Sequence, residues 1–128
     1  MPPTRVAVIV DDNPSNNADI AASAERAGVQ VHMAVSTSDA LRLLASLRSD
    51  SALNIRVITD MHRIEDGQHV TDAGARLIRT MQDRQLVFPT LVFCGERSAA
   101  TFSSSYPTLN AKATANENVV KDFALFEY

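Results

Sequence analysis

The sequence predicts an α/β protein built on a parallel β-sheet, and two observations carry that prediction. Short all-apolar runs, typical of strands buried on both faces, alternate with segments in which apolar residues recur at helical spacing. Polar residues or glycine follow the clearest of these runs, as expected where strands end. Alternating strands and helices form parallel sheets with helices on both faces. The 128 residues correspond to a single domain, which we expect to span residues 1–128.

The first strand–helix pair is the clearest. Residues 6–10 are all apolar and lead into Asp11 and Asp12. Asn13 is a favourable helix cap, and Pro14 fits the first helical position. Gly28 ends this predicted helix.

A second pair follows directly. Residues 29–35 form the second predicted strand, and Ser36 with Asp39 resembles a capping box that opens the second helix. The apolar stripe of this helix is Ala40, Leu41, Leu44 and Leu47. Residues 55–59 form the third predicted strand, which ends at Asp60.

The second half of the chain has weaker patterns. Residues 61–73 are polar and are predicted to form a loop, after which Gly74 opens a helix with apolar residues at helical spacing. The remaining predictions are a strand at 89–93, a short helix within 98–105, an edge strand at 108–111 directly before Lys112, and a final helix at 116–126.

The residues that follow the predicted strands point to a site. Ligands of such sheets bind beyond the carboxyl ends of the strands, where this chain places Asp11, Asp12, Asp60, Cys94 and Lys112. Three neighbouring carboxylates repel one another, and Mg²⁺ is the natural counter-ion because it prefers oxygen ligands. A lysine is suited to a phosphoryl oxygen, and a carboxylate can act as the nucleophile that forms an aspartyl phosphate.

Composition excludes several classes of protein. Twelve scattered basic residues against fifteen acidic ones leave a net charge of −3, which argues against binding to nucleic acid or an anionic membrane. One cysteine excludes an internal disulfide framework. The longest apolar run is too short to span a membrane, and we expect a cytoplasmic protein.

Three stretches resemble the receiver (CheY-like) domain of two-component response regulators. They are residues 6–14, Gly28 after the first helix, and residues 39–44 of the second helix. The resemblance extends over essentially the whole chain. It implies a doubly wound five-stranded sheet of order 2-1-3-4-5.

The resemblance also implies roles for the strand-end residues. Asp60 would accept the phosphoryl group, and Lys112 would contact that group. Mg²⁺ would bind Asp11, Asp12 and Asp60, together with the backbone carbonyl of His62. Cys94 stands at the position where the family has threonine or serine.

A receiver of this kind is a signalling protein and not an enzyme that acts on external substrates. The resemblance implies a histidine kinase or histidine phosphotransfer protein as the phosphoryl donor and a downstream protein effector as the target. Phosphorylation would shift the region of the fourth and fifth strands between two conformations. Self-association into a homodimer stays open.

Departures from the family pattern support an alternative. The thiol of Cys94 is a weak hydrogen-bond donor, Leu109 replaces the aromatic switch residue, and Ala113 replaces a proline. These changes favour an atypical pseudo-receiver, a protein-interaction module that works without phosphorylation. A third reading is a hydrolytic phosphatase with Asp60 as nucleophile, for which His62 is the only general acid nearby in the sequence.

Overall fold

The computed structural model describes residues 3–127, and its main elements alternate between strands and helices as predicted. In chain order they are β1 (Thr4–Val10), α1 (Ala18–Arg26), β2 (Gln30–Ala34), α2 (Thr37–Arg48), β3 (Leu53–Asp60), β4 (Arg63–Glu65), β5 (Gln68–Val70), α3 (Ala73–Asp83), β6 (Thr90–Phe93), α4 (Glu96–Ser105), β7 (Lys112–Thr114) and α5 (Glu117–Ala124). No helix within residues 3–127 is long and apolar enough to cross a membrane.

Five parallel strands form one sheet in the order β2-β1-β3-β6-β7. Counting only the strands of this sheet, the order is 2-1-3-4-5, as the resemblance implied. β1 and β3 are neighbours at its centre, and their pairing runs from Thr4 opposite Leu53 to Val10 opposite Thr59. The carboxyl ends of these two strands therefore meet at the same edge of the sheet.

The side chains of β1 explain why this strand reads as an all-apolar run. Val6, Val8 and Val10 are buried in a cluster that includes Leu44 of α2 and Leu77 of α3. The alternate residues Ala7 and Ile9 are buried on the opposite face with Ala24 of α1 and Val120 of α5. Because helices cover both faces of the sheet here, residues 6–10 are all apolar, whereas Thr4 and Arg5 at the start of the strand are not buried.

Helix starts follow the sequence signals in one case and not in another. The Ser36 hydroxyl accepts a hydrogen bond from the backbone N–H of Asp39, which confirms the predicted cap of α2. Asn13 does not cap α1: its side-chain oxygen accepts from the Ser15 hydroxyl, and residues Pro14–Asn17 form a 3-10 turn first. The α-helix begins only at Ala18.

The predicted edge strand at residues 108–111 is wrong, since β7 comprises Lys112–Thr114. The side chain of Gln82 on α3 explains the shift: its amide donates to the carbonyl of Thr108, and its oxygen accepts from the N–H of Asn110. These backbone groups are thereby bonded to a helix side chain and not to the sheet. Lys112 consequently starts the last strand and does not follow it.

The segment 61–73 is not the simple loop that we predicted. It contains an antiparallel hairpin in which β4 pairs with β5. Asp66 and Gly67 form its two-residue turn, with φ values of 51° and 77°. An Asp-Gly pair is a strong hairpin signal, because this turn needs two residues that tolerate positive φ.

Candidate functional site

Three carboxylates meet where β1 and β3 end. Asp11, Asp12 and Asp60 each place one oxygen within 4.8 Å of the others. They line an open cavity of about 510 Å³ whose walls also include Asn16, Asn17, His62, Phe93, Cys94 and Glu117. The predicted acidic cluster is therefore assembled, and it arises because the two strands are neighbours in the sheet.

The acidic pair after β1 is held by hydrogen bonds. One oxygen of Asp11 accepts from the backbone N–H of Asn13, and the other accepts from the side-chain amide of Asn17, both at 2.9 Å. Asp12 accepts from the backbone N–H of Ile64, 2.8 Å away. Asp12 thus attaches the hairpin to the end of β1.

Asp60 is largely enclosed, with 16% of its side chain exposed. Burial and the negative charges of Asp11 and Asp12 raise the pKa of Asp60, the Arg63 guanidinium opposes them, and the net result is a pKa of about 7. The site holds a carboxyl group whose charge changes near neutral pH, a property common in functional sites.

Arg63 is the cation of this site, and its side chain has no exposed surface. Its five N–H groups all have acceptors. Nε donates to Glu65 at 3.0 Å, Nη1 to Asp60 Oδ1 and Thr59 Oγ1, and Nη2 to Thr37 Oγ1 at 2.8 Å and the Ala73 carbonyl at 3.4 Å. The hydrogen-bonding capacity of the guanidinium is therefore fully used.

Glu65 connects the same arginine to α2. It pairs with Arg63 and accepts a hydrogen bond from the backbone N–H of Thr37, at the first position of the helix. Burial raises the pKa of Glu65, but the hydrogen bonds from Thr37 and Arg63 outweigh it and bring that pKa below its usual value. A charged carboxylate here also suits the positive end of the helix dipole.

The structure does not bring Lys112 to the carboxylates. Lys112 begins β7 opposite Leu91, whereas the acidic cavity lies beyond Phe93 and Thr114 at the other end of these strands. It lines a separate cavity of about 710 Å³ together with Arg56, Val87, Phe88, Pro89, Thr90, Leu109, Asn110, Ala111 and Phe123. The residues directly after β7 are Ala115 and Asn116, neither of which carries a charge.

Cys94 and His62 do lie at the cavity. Cys94 is half-buried, and its backbone N–H donates to the carbonyl of Thr114. Burial raises the pKa of the Cys94 thiol, so the thiol is neutral at pH 7 and only a weak hydrogen-bond donor. The ring of His62 lies 5.9 Å from the ring of His69 across the hairpin.

Gly74 sets the position of the Asp60 backbone. Its N–H donates to the carbonyl of Met61 at 3.0 Å. A Cβ atom at position 74 would lie 2.3 Å from the Asp60 carbonyl oxygen, well inside the van der Waals limit. The start of α3 approaches the end of β3 this closely only because residue 74 has no side chain.

Sequence reasoning missed the role of Arg63. The residue lies three positions after Asp60, in a segment interpreted as a solvated loop, and arginine is rarely buried unless it is paired. The one available signal was the Asp66-Gly67 turn, which predicts a hairpin that folds back toward Asp60.

Comparison with solved structures identifies the architecture. A response regulator receiver protein from Pseudomonas putida matches with a TM-score of 0.68 and 16% identity, over 98% of each chain. The signal receiver domain of an HD domain-containing protein from Pseudomonas fluorescens matches with a TM-score of 0.68 and 14% identity, over 97% of this chain and 93% of that chain. The chain has the receiver fold.

Another similar receiver-fold protein carries ligands. A response regulator from Burkholderia pseudomallei, with a phosphorylated aspartic acid, a calcium ion and citrate, matches with a TM-score of 0.64 and 23% identity, over 92% of this chain and 65% of that chain. No protein-family model matches the sequence, and no curated protein sequence matches it significantly. The resemblance to receiver domains is thus confirmed at the level of the fold, at low sequence identity.

The donor set fits a divalent cation. Asp11, Asp12 and Asp60 supply hard oxygen ligands within 4.8 Å of one another, and Arg63 is the one cation bonded to them within residues 3–127. When all three carboxylates are ionised, one guanidinium leaves two of their negative charges uncompensated. Mg²⁺ or Ca²⁺ would match that excess in both charge and ligand type.

Proposed function

We propose that this protein is a phosphoryl-accepting receiver that uses Asp60 as its acceptor and signals through protein partners. The observation that supports this most strongly is the cluster of Asp11, Asp12 and Asp60 at the carboxyl edge of a receiver-fold sheet. Within residues 3–127, no hydrogen bond reaches Asp60 Oδ2, whereas Oδ1 is bonded to Arg63. One carboxylate oxygen is thus available as a nucleophile while the other is fixed.

The chemistry follows from this orientation. Asp60 Oδ2 attacks the phosphorus of a phosphohistidine, a new O–P bond forms, and the P–N bond of the donor breaks with its electron pair returning to the imidazole. Bound at Asp11, Asp12, Asp60 and the His62 carbonyl, Mg²⁺ would neutralise the charge that develops on the phosphoryl oxygens. Asn16, Asn17 and Glu117 complete the wall of the cavity that the phosphoryl group would enter.

The proposal assigns two kinds of partner. The phosphoryl donor is a histidine kinase or a histidine phosphotransfer protein, and the recipient of the signal is a downstream protein effector. The protein itself turns over no external substrate. Lys112 has no part in this chemistry, because it lies at the opposite end of β7.

One observation favours the pseudo-receiver as a second candidate. Arg63 is saturated with hydrogen bonds, and Asp12 is engaged by the hairpin backbone, so the acidic site is partly occupied by the protein itself. A protein-interaction module that keeps this arrangement permanently would need neither Mg²⁺ nor a phosphoryl donor.

Intact-mass spectrometry after incubation with Mg²⁺ and acetyl phosphate distinguishes the two candidates. We expect one phosphoryl adduct on the wild-type protein and none on Asp60→Asn or in a sample without metal. Asp19→Asn, a change of the same type on the exposed start of α1, is the matched control and retains the adduct.

Absence of an adduct with acetyl phosphate, small-molecule donors and a panel of phosphotransfer proteins contradicts the proposed function. Absence of Mg²⁺ binding in the same preparation establishes the pseudo-receiver in its place. An adduct that persists in Asp60→Asn would move the acceptor to another residue.

A further inference from the structure

Arg63 links three parts of the molecule through one buried guanidinium. It contacts Asp60 at the end of β3, Thr37 at the first position of α2, and Glu65 within its own hairpin. Among residues 3–127, Arg63 is the only residue bonded to the Asp60 side chain. A change in the Asp60 carboxylate therefore acts first on Arg63.

Because all five N–H donors of the Arg63 guanidinium are used, a change at Asp60 disturbs its other hydrogen bonds. Arginine has five N–H donors, and all five are used, so a new acceptor near Asp60 can bond to Arg63 only if an existing partner is lost. Phosphorylation would convert the charged Oδ1 into an uncharged acyl oxygen and add three strong acceptor oxygens nearby. Both changes weaken the present set of bonds.

We infer that Arg63 transmits the chemical state of Asp60 to the β4–β5 hairpin and the first turn of α2, and that this face is the one that changes when the protein signals. That phosphorylation is the trigger rests on the proposed function, whereas the coupling itself depends only on the hydrogen bonds of Arg63. It revises the expectation that the region of the fourth and fifth sheet strands, now β6 and β7, carries the switch.

The geometry of α2 supports this direction of transmission. Two groups of Thr37 depend on the hairpin: its hydroxyl accepts from Arg63, and its backbone N–H donates to Glu65. The hairpin is held to β1 by the bond from Ile64 to Asp12. Toward the other side of the sheet, no hydrogen bond or ion pair joins the Asp60 side chain to β6, β7 or α5 within residues 3–127.

Amide hydrogen exchange followed by mass spectrometry tests the inference on the full chain. In the presence of Mg²⁺ and acetyl phosphate, we expect exchange in peptides covering residues 37–41 and 63–70 to rise about tenfold, as for loss of one charge-assisted hydrogen bond. Peptides from Glu117–Ala124 should change less than twofold. A response confined to β7 and α5 overturns the inference.

A substitution separates this coupling from phosphorylation. Asp60→Asn removes the negative charge that Arg63 binds, and we expect it to accelerate exchange in the same two segments without any phosphoryl donor. Asp19→Asn makes the same type of change on the exposed start of α1, without touching Arg63, and is expected to leave both segments unchanged. If no adduct forms but Asp60→Asn gives this response, the proposed function fails and the coupling stands.

Arg63→Lys tests whether the guanidinium is the link. Lysine keeps the charge but has three donors on a single nitrogen, so it cannot bridge the five acceptors. We expect Asp60→Asn to have less than a twofold effect on residues 37–41 in this background, a non-additivity characteristic of coupled residues. If Arg63→Lys folds poorly, Thr37→Val replaces it in this experiment, because it removes only one of the acceptors of Arg63. Full additivity of either pair overturns the inference.

Discussion

At the scale of single residues, the balance between burial and pairing at Asp60 determines the chemistry of the site. Burial and the neighbouring charges of Asp11 and Asp12 favour the protonated acid, whereas Arg63 favours the carboxylate. The result is a pKa of about 7. Arg63 in turn is retained in the interior because all its donors are satisfied, which offsets part of the cost of burying a charge.

This pKa makes the stability of the metal-free protein depend on pH. The folded protein binds the Asp60 proton more tightly than the unfolded chain does, so its stabilising effect is complete below the unfolded pKa near 3.8 and is lost as pH rises through 7. Urea denaturation with a chelator present should show the free energy of unfolding decreasing by about 2–3 kcal/mol between pH 5 and pH 8.

Asp60→Asn is the control for this profile, since asparagine does not titrate and the decrease should disappear. Glu65 does not interfere, because its pKa is below its usual value of 4.5 and its contribution changes only in more acidic solution. A wild-type profile that is flat from pH 5 to pH 8 would contradict the raised pKa of Asp60.

At the scale of elements, the contact between α3 and the end of β3 positions Asp60. Gly74→Ala would put a Cβ atom 2.3 Å from the Asp60 carbonyl oxygen, so either the helix or the strand must move. We expect thermal or urea unfolding to show a loss of about 2–3 kcal/mol in stability, typical of overpacking. The variant should also accept phosphoryl groups more slowly.

Gly95→Ala is the matched control for this element. Gly95 has a φ of −68°, and a Cβ atom there meets nothing within 4 Å. We expect a change in stability of less than about 0.5 kcal/mol. Equal destabilisation by the two substitutions would mean that the approach of α3 to Asp60 is not tight.

The register of β7 yields a prediction about Lys112. Because this residue starts the strand and lines the cavity at the other edge of the sheet, Lys112→Ala should leave the rate of phosphorylation by acetyl phosphate within about twofold of the wild-type rate. Lys121→Ala, on the exposed side of α5, controls for the loss of one positive charge. A loss of about a hundredfold in Lys112→Ala alone would require this lysine at the phosphoryl group.

At the scale of the whole molecule, a ligand that binds only the folded chain stabilises all of it. Bound at the acidic site, Mg²⁺ at ten times its dissociation constant should contribute about 1.4 kcal/mol, which corresponds to a rise of about 3–6 °C in Tm. Differential scanning calorimetry with and without MgCl₂ measures this shift.

Asp12→Asn should abolish most of the Mg²⁺ effect, because it removes one anionic ligand while keeping an oxygen that can accept from the Ile64 N–H. Asp122→Asn makes the same change on the exposed face of α5 and should preserve the effect. Equal shifts in both variants would indicate nonspecific ion binding.

The order of strands and helices is a property that the sequence determines largely by itself. All-apolar runs such as residues 6–10 predict strands covered on both faces, and helical spacing predicts the helices between them. The meeting of Asp11, Asp12 and Asp60 followed as well, because parallel strands end at a common edge.

Only the tertiary structure decided which cation contacts the carboxylates of the site. A strand of three residues such as β7 has no periodicity to reveal its register, which depends on the side chain of Gln82 bonding to residues 108 and 110. Arg63 is buried because its acceptors come from segments up to 26 residues away in the sequence. Local patterns carry no information about such partners, so only the folded chain shows that Arg63 contacts Asp60 and that Lys112 lines a different cavity.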